Sequence, residues 1–275
     1  METRMELHDF YHVTLVHMRG CQKQSAWNGM PHAHDHYELS VHIRGALQIF
    51  AEENSYLLSG GEIRLYGAGE LHCGIVRDEE EMEWYQINIP TAFCSYPDGE
   101  ALTRIFRERR FGTGNVIRLK RQEEVVSMLK TAFDLYRERS LFAACYAKSA
   151  LLAILCLVGT DDERLPYAAE KRSPALERIL EIIRTEYAGL YTVGDLASRT
   201  HFSVSYINKL FRTQVGVSPY QFLLEKKLVE AKRHLRDGVS VTESARLVGF
   251  RDYSGFITLF RRRFGVTPHQ YKGGG

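Results

Sequence analysis

The chain has 275 residues, 44% hydrophobic and 25% charged, a composition that fits a globular protein long enough for two domains and excludes fibrous or low-complexity classes. Its net charge of +2 hides a division: residues 1–170 carry 18 Lys and Arg against 25 Asp and Glu, a net −7, whereas residues 171–275 carry 18 against 9, a net +9. An acidic front tethered to a basic back suits a chain whose second half meets a polyanion.

No apolar h-region follows a basic start, so no signal peptide is expected. The five cysteines are odd in number and never form C-x-x-C, which argues against a disulfide framework and for a cytoplasmic location. Residues 11–90 read as short strands broken by "RG", "SGG" and "GAGE", the pattern of an all-β sandwich or barrel. Within them "MPHAHDHYELSVHIRG" packs His32, His34, His36, His42 and Glu38 into one short stretch. Alternate residues of a strand share a face, so His32, His34 and Glu38 can converge on an interior. Such a set suits a divalent metal such as Mn, Fe, Ni or Zn. It equally suits direct hydrogen bonding to a sugar or other small molecule. Trp27, Tyr37, Trp84 and Tyr85 are candidate stacking walls for that molecule, or core residues.

From residue 101 the period changes. "EEVVSMLKTAFDLYRER" and the apolar run from Leu141 predict a helical hairpin over about 122–158, with Cys145 and Cys156 as packing residues. That run is interrupted by Lys148 and Ser149 and is short for a bilayer, so no membrane span is expected. "GTDDERLPYAAEKRSP" follows, polar and with two prolines, and reads as a linker over 161–174. This sets domains at 1–160 and 175–275.

The second domain contains a repeat. "SVSYINKLFRTQVGVSPYQF" and "YSGFITLFRRRFGVTPHQY" share F-R-x-x-x-G-V-[ST]-P-x-Q-[FY], with matched positions 49 residues apart, as from Phe211 to Phe260. Each copy has the parts of a helix-turn-helix, over about 192–214 and 240–264. Thr192 with Asp195, and Ser240 with Glu243, have the spacing of capping boxes. Ser203 and Asp252 are placed to cap the second helices, and His201 and Gly249 occupy the turns. Tyr206, Ile207, Leu210 and Phe211 form the expected buried stripe. Residues 218–238 between the units read as one continuous helix. Two such units in a basic domain are suited to the DNA major groove.

At these residues the chain resembles the AraC/XylS family of bacterial transcription regulators, over all of 176–271. The resemblance implies two recognition helices reading successive major grooves of double-stranded promoter DNA. Carried over by position, the base-reading residues are Ser205, Asn208 and Lys209 in the first head, and Tyr253, Ser254, Ile257 and Thr258 in the second. Backbone contacts fall to Arg212, Arg251, Arg261 and Arg262, with helix-start amides near Thr192 and Ser240. The front half resembles the cupin-type sensor domain common in that family. His32, His34, Glu38 and Gly45 fit the first cupin motif, and Gly61, Gly69 and His72 fit the second, where Gly67 and Val76 replace the usual proline and asparagine. The resemblance implies that His32, His34, Glu38 and His72 bind the effector or a divalent metal. It also implies dimerisation through the hairpin. The overall expectation is an α+β two-domain regulator, a cupin-like β-barrel with a helical hairpin followed by an all-α DNA-binding domain. It would be an activator acting with RNA polymerase, sensing a small molecule, most naturally a sugar. The rival is a metal-dependent cupin enzyme fused to a DNA-binding module.

Overall fold

The computed structural model describes residues 1–20, 31–52, 54–77, 81–160, 164–167 and 173–273. The chain divides into two compact units, with the boundary between Glu170 and Lys171.

Among the described residues the first unit carries ten strands: β1 (Glu2–Leu7), β2 (Val13–Gly20), β3 (His36–Arg44), β4 (Leu47–Ala51), β5 (Asn54–Leu58), β6 (Ile63–Tyr66), β7 (His72–Val76), β8 (Met82–Pro90), β9 (Val116–Leu119) and β10 (Arg164–Pro166). Among the described residues four α-helices accompany them: α1 (Gly99–Leu102), α2 (Arg104–Arg107), α3 (Gln122–Arg137) and α4 (Ala143–Gly159). Seven strands form one sheet in the order β1-β2-β8-β3-β6-β9-β10, and three form a second, β5-β4-β7.

The two faces of the large sheet differ because side chains alternate along each strand. On one face Tyr37, Leu39 and Val41 of β3, Leu65 of β6, and Tyr85 and Ile87 of β8 pack against the α3–α4 hairpin at Leu129, Phe133, Leu151 and Ile154. The residues between them, Glu38, Ser40 and His42, pair in register with Asn88, Gln86 and Trp84 of β8. Glu38 and Ser40 also face Tyr66 and Arg64 of β6. This second face is polar. A smaller core beside it joins Leu47, Ile49, Tyr56 and Leu58 of the three-stranded sheet to Tyr66, Met82 and Val116.

The hairpin lies where the 3.6-residue period puts it. The sheet extends beyond the expected 11–90 at both ends, into β1 and into β9–β10. Arg164, Leu165 and Pro166 pair with Leu119, Arg118 and Ile117, so part of the stretch expected to be linker is an edge strand. Three residues containing a proline carry too little pattern to announce a strand, and an edge is where proline is tolerated. Cys145 and Cys156 are exposed on α4 rather than packed, and with Cys73 and Cys94 they are free thiols.

The second unit holds seven helices among the described residues: α5 (Pro174–Glu186), α6 (Val193–Thr200), α7 (Val204–Gln214), α8 (Pro219–Arg236), α9 (Val241–Leu247), α10 (Tyr253–Phe264) and α11 (Pro268–Gly273). Local chemistry sets their ends. Thr192 accepts from the Asp195 amide while Asp195 accepts from the Thr192 amide, a complete capping box. Ser203 caps α7 by accepting from Tyr206. Ser218 and Gln221 box the start of α8, with Pro219 at its first turn. Ser240 accepts from the Glu243 amide, but the Glu243 carboxylate goes to Arg246 at 2.6 and 2.8 Å, so the expected box is half made. Asp252 precedes α10 without a side-chain cap bond.

The turns of both units take the left-handed conformation, at His201 (φ 61°) and Gly249 (φ 78°). Gly249 is also a close-approach site: a Cβ there would lie 1.8 Å from the Ala188 carbonyl oxygen. The second unit's core gathers Leu228, Ala231 and Leu235 of α8, Ala245 of α9, and Phe256 and Phe260 of α10. Ile207, Leu210 and Phe211 are buried on α7, whereas Tyr206 is 43% exposed and leaves the expected stripe.

Two outcomes follow in chemical unfolding of the protein. Gly249→Ala costs roughly 1–3 kcal/mol, because it adds both left-handed strain and a backbone clash; an unchanged midpoint contradicts the Ala188 contact. Thr192→Ala costs about 1 kcal/mol and more than Ser240→Ala, since only Thr192 sits in a reciprocal box. Equal losses would contradict that difference.

Candidate functional site

The expected base-reading residues lie along two helices whose outer faces are open. Ser205 and Lys209 are exposed on α7, as are Tyr253, Ser254 and Thr258 on α10. Asn208 is half-buried, and its amide donates to the Val204 carbonyl at 3.0 Å, so it must exchange that bond to read a base. Thr258 likewise donates to the Ser254 carbonyl at 3.0 Å. Ile257 packs partly against the core of the second helix-turn-helix, which leaves it less free for a thymine methyl than the sequence suggests. Tyr253 bonds His269 of α11 at 3.1 Å, tying the start of α10 to the helix that follows it.

Arg212, Arg261 and Arg262 are exposed. Glu243 and Glu225 take Arg246 and Arg263 instead, leaving the expected clamps out of those pairs. Arg251 is exposed too, but its guanidinium lies 3.7 Å from the centroid of Tyr191. Lys227 of α8 reaches the same ring at 4.9 Å and donates to the Gly249 carbonyl at 3.2 Å. Burial, with Arg251 close by, pulls the Lys227 amine down to about 8. Tyr191, Lys227 and the Ala188–Gly249 contact therefore knit the lead-in of the first helix-turn-helix to the turn of the second. Sequence reasoning missed them; the signal was a lysine at a buried helical position beside two aromatic residues.

In the first unit, His34, Glu38 and His72 bring one potential ligand atom each to within 4.8 Å of one another. Both histidines are oriented from behind: His34 Nδ1 donates to the His36 carbonyl and His72 Nδ1 to the Glu70 carbonyl, each at 2.9 Å. Their Nε2 atoms then face Glu38 Oε2, at 3.1 Å and 3.9 Å. With Nδ1 carrying its hydrogen, Nε2 of a neutral ring is a lone pair aimed at a carboxylate oxygen, so a cation must lie between them, a proton or a metal ion. Ser40 donates to Glu38 Oε1 at 2.8 Å and Gln86 to Oε2 at 3.2 Å. Burial pushes the Glu38 carboxyl up, but the His34 bond and the charges of His34, His72 and Arg64 outweigh it and hold the group well below the usual carboxylate range. Two nitrogens and a carboxylate, with both rings fixed through their other nitrogen, fit a divalent transition ion.

His32 is not a member of this trio. His36 stacks on His34 at 3.8 Å, and burial with the neighbouring His34 lowers it to about 4. His42 is fully buried on the same polar face; burial and then Arg64 lower it to about 4, so it is neutral. Trp84 lies on this face as well, opposite His42 in register. Tyr37 and Tyr85 do not: Tyr37 stacks on Phe106 and Tyr85 on His17, inside the core against the hairpin. Their parity, odd against the even numbers of Glu38 and Trp84, puts them on the other side of the sheet. Trp27 lies outside the described residues. Sequence reasoning passed over Ser40, Arg64 and Gln86, which only the cross-strand register brings beside Glu38.

Comparisons with known proteins find family models matching both parts of the chain. An AraC-like ligand binding domain matches residues 15–155, and a helix-turn-helix domain matches residues 196–274. The probable transcriptional regulator LumQ of Photobacterium leiognathi is 24% identical over 244 residues, covering 88% of this chain and 91% of its own length. The transcriptional activator RhaS of Citrobacter koseri is 23% identical over 248 residues, covering 88% and 87%. Among solved structures, ToxT from Vibrio cholerae aligns over 96% of this chain and 98% of its own, at 13% identity and a TM-score of 0.38. Among the described residues no helix is long and apolar enough to cross a membrane. With a ligand-binding domain in front and two helix-turn-helix units behind, the chain belongs to the AraC family of DNA-binding transcription regulators.

Proposed function

We propose that this chain is a cytoplasmic transcription activator that reads double-stranded promoter DNA with α7 and α10 and changes its binding when a small molecule occupies the polar face of the first unit. The observation that carries the reading is the pairing of two exposed recognition helices with one long helix between them, in a half of the chain with a net charge of +9. Ser205, Asn208 and Lys209 read bases in the first head, where Asn pairs with adenine and Lys reaches guanine. Tyr253, Ser254, Ile257 and Thr258 give the second head hydroxyls and apolar contact, so it leans more on backbone contacts and DNA shape. Arg212, Arg251, Arg261 and Arg262 bind phosphates beside the helix-start amides at Thr192 and Ser240. RhaS carries the name of a transcriptional activator, which supports the same role here; contact with RNA polymerase belongs to that proposed role.

A sugar is the effector class expected from the hydroxyl and amide groups of Ser40, Gln86 and Asn88, with Trp84 as a stacking wall. His34, Glu38 and His72 hold a divalent metal beside it. When bound, the ion supplies positive charge that orients a ligand oxygen; Ser40 and Gln86 position the Glu38 carboxylate. Dimerisation uses the α3–α4 hairpin, a proposal supported by Leu141 and Phe142, which stand 95% and 73% exposed at its turn.

Binding to a selected operator tests the DNA reading. Affinity drops steeply between low and moderate salt, and Arg261→Ala reduces the slope by about 1. Asn208→Ala costs about 1–3 kcal/mol and relaxes selection at one position of the first half-site. Salt-independent binding, or unaltered selection, would contradict the assignment. For the metal, equilibrium dialysis against Zn2+ or Mn2+ yields one bound ion per chain that is lost in His72→Ala. Full retention in that variant would remove the trio from the site.

A further inference from the structure

The polar face of the large sheet contains one charged group that the fold leaves unused. Arg64 is only 8% exposed, yet its Nε and Nη2 are buried with no hydrogen-bond partner among the described residues. These two N–H groups form one parallel edge of the guanidinium, the edge that meets a carboxylate with two bonds at once. The acidic groups nearest in sequence are taken. Glu62 pairs with Arg118 and accepts from the Gly60 amide, and Glu70 pairs with Arg109. Ser40, opposite Arg64 in register, gives its hydroxyl to Glu38.

The guanidinium lies 5.8 Å from the centroid of Trp84, which supplies a flat apolar wall beside it. Opposite Trp84, His42 donates Nε2 to the Gly45 carbonyl at 2.7 Å. Its Nδ1 is therefore an acceptor, and it too is buried without a partner. One face thus offers a two-bond donor edge, a lone acceptor and an indole ring. The charge of Arg64 acts on Glu38, but a buried guanidinium edge with no hydrogen-bond partner still destabilises a fold, and its retention points to a partner that arrives from outside.

We propose that Arg64 anchors the carboxylate of the effector, and that the effector is a hydroxy acid of sugar-like polarity, its acid group on Arg64 and a hydroxyl donating to His42. This rests on the reading that the effector enters the polar face, and it narrows the sugar of that reading to a sugar acid. The two oxygens of a carboxylate match the unbonded edge of the Arg64 guanidinium. A phosphate dianion would place a second negative charge near Glu38, which argues for the carboxylate.

The test uses full-length, metal-stripped protein in thermal-shift titrations at constant ionic strength. The probes are a panel of hexuronates and aldonates, the parent neutral hexoses, and hexose 6-phosphates. At least one sugar acid raises the melting temperature of the wild type, while its neutral parent does so at least about tenfold more weakly. Arg64→Met abolishes that response and, without ligand, melts no lower than the wild type, because it removes buried N–H groups that no partner satisfies. Arg64→Lys keeps the charge without the two-bond edge and responds at intermediate concentrations. A marked loss of ligand-free stability in Arg64→Met would make the residue structural and overturn the proposal. So would a sugar-acid shift that survives Arg64→Met, or one that is lost instead in His72→Ala. A shift by neutral hexoses or phosphates that ignores Arg64 overturns the proposal and leaves the effector reading standing. No shift by any probe, with DNA binding unaffected by all of them, overturns both.

Discussion

Two recognition helices can read one stretch of duplex only if their separation and phase are held fixed, and in this chain the holding contact is backbone against backbone. Gly249 sits so close to Ala188 that no side chain fits between them, and Lys227 locks the pair by donating to the Gly249 carbonyl. Tyr191, covered by Lys227 and Arg251, seals the same junction. The 18 residues of α8 add a rod of about 27 Å at 1.5 Å per residue. A charged lysine is partly desolvated to achieve this, a cost offset by the carbonyl and two aromatic faces it meets. The proposed readout by α7 and α10 would depend on that rigidity, since neither head alone offers many candidate base-reading groups.

The first unit solves a different problem with strand alternation. One set of side chains on the large sheet is apolar and fastens the sheet to the α3–α4 hairpin. The other set is polar and buried, an arrangement that a domain built only for stability would not keep. Glu38 is the centre of that face, bonded by His34, Ser40 and Gln86. Arg64 and His42 lie on the same face with unused hydrogen-bonding capacity. The contrast between a saturated carboxylate and an unsatisfied guanidinium separates the residues that build the face from those that wait for a ligand.

Much of this was legible in the sequence where the governing physics is local. Thr192 with Asp195, Ser203, His201 and Gly249 took the cap and turn positions their chemistry suits, and the internal repeat marked both helix-turn-helix units. The hairpin followed from periodicity. Legibility ended where tertiary contacts decide. Glu243 has the spacing of a box but prefers Arg246 one turn on. Residue type alone leaves Tyr37 and Tyr85 open between stacking wall and core, and strand parity, opposite to that of Glu38, decides for the core. Arg64 was invisible because its meaning depends on cross-strand register with Ser40, and β9 and β10 are too short to carry a pattern.

The most direct measurement of the central claim, a rigid two-headed reader, is affinity for operators in which the two half-sites are moved apart. Inserting about 5 bp, half a helical turn, sets the second head on the wrong side of the duplex. The account predicts that binding then falls to that of a single half-site. Affinity unchanged by the insertion would contradict it, because it would mean that the Gly249–Ala188 junction does not hold the two heads in phase.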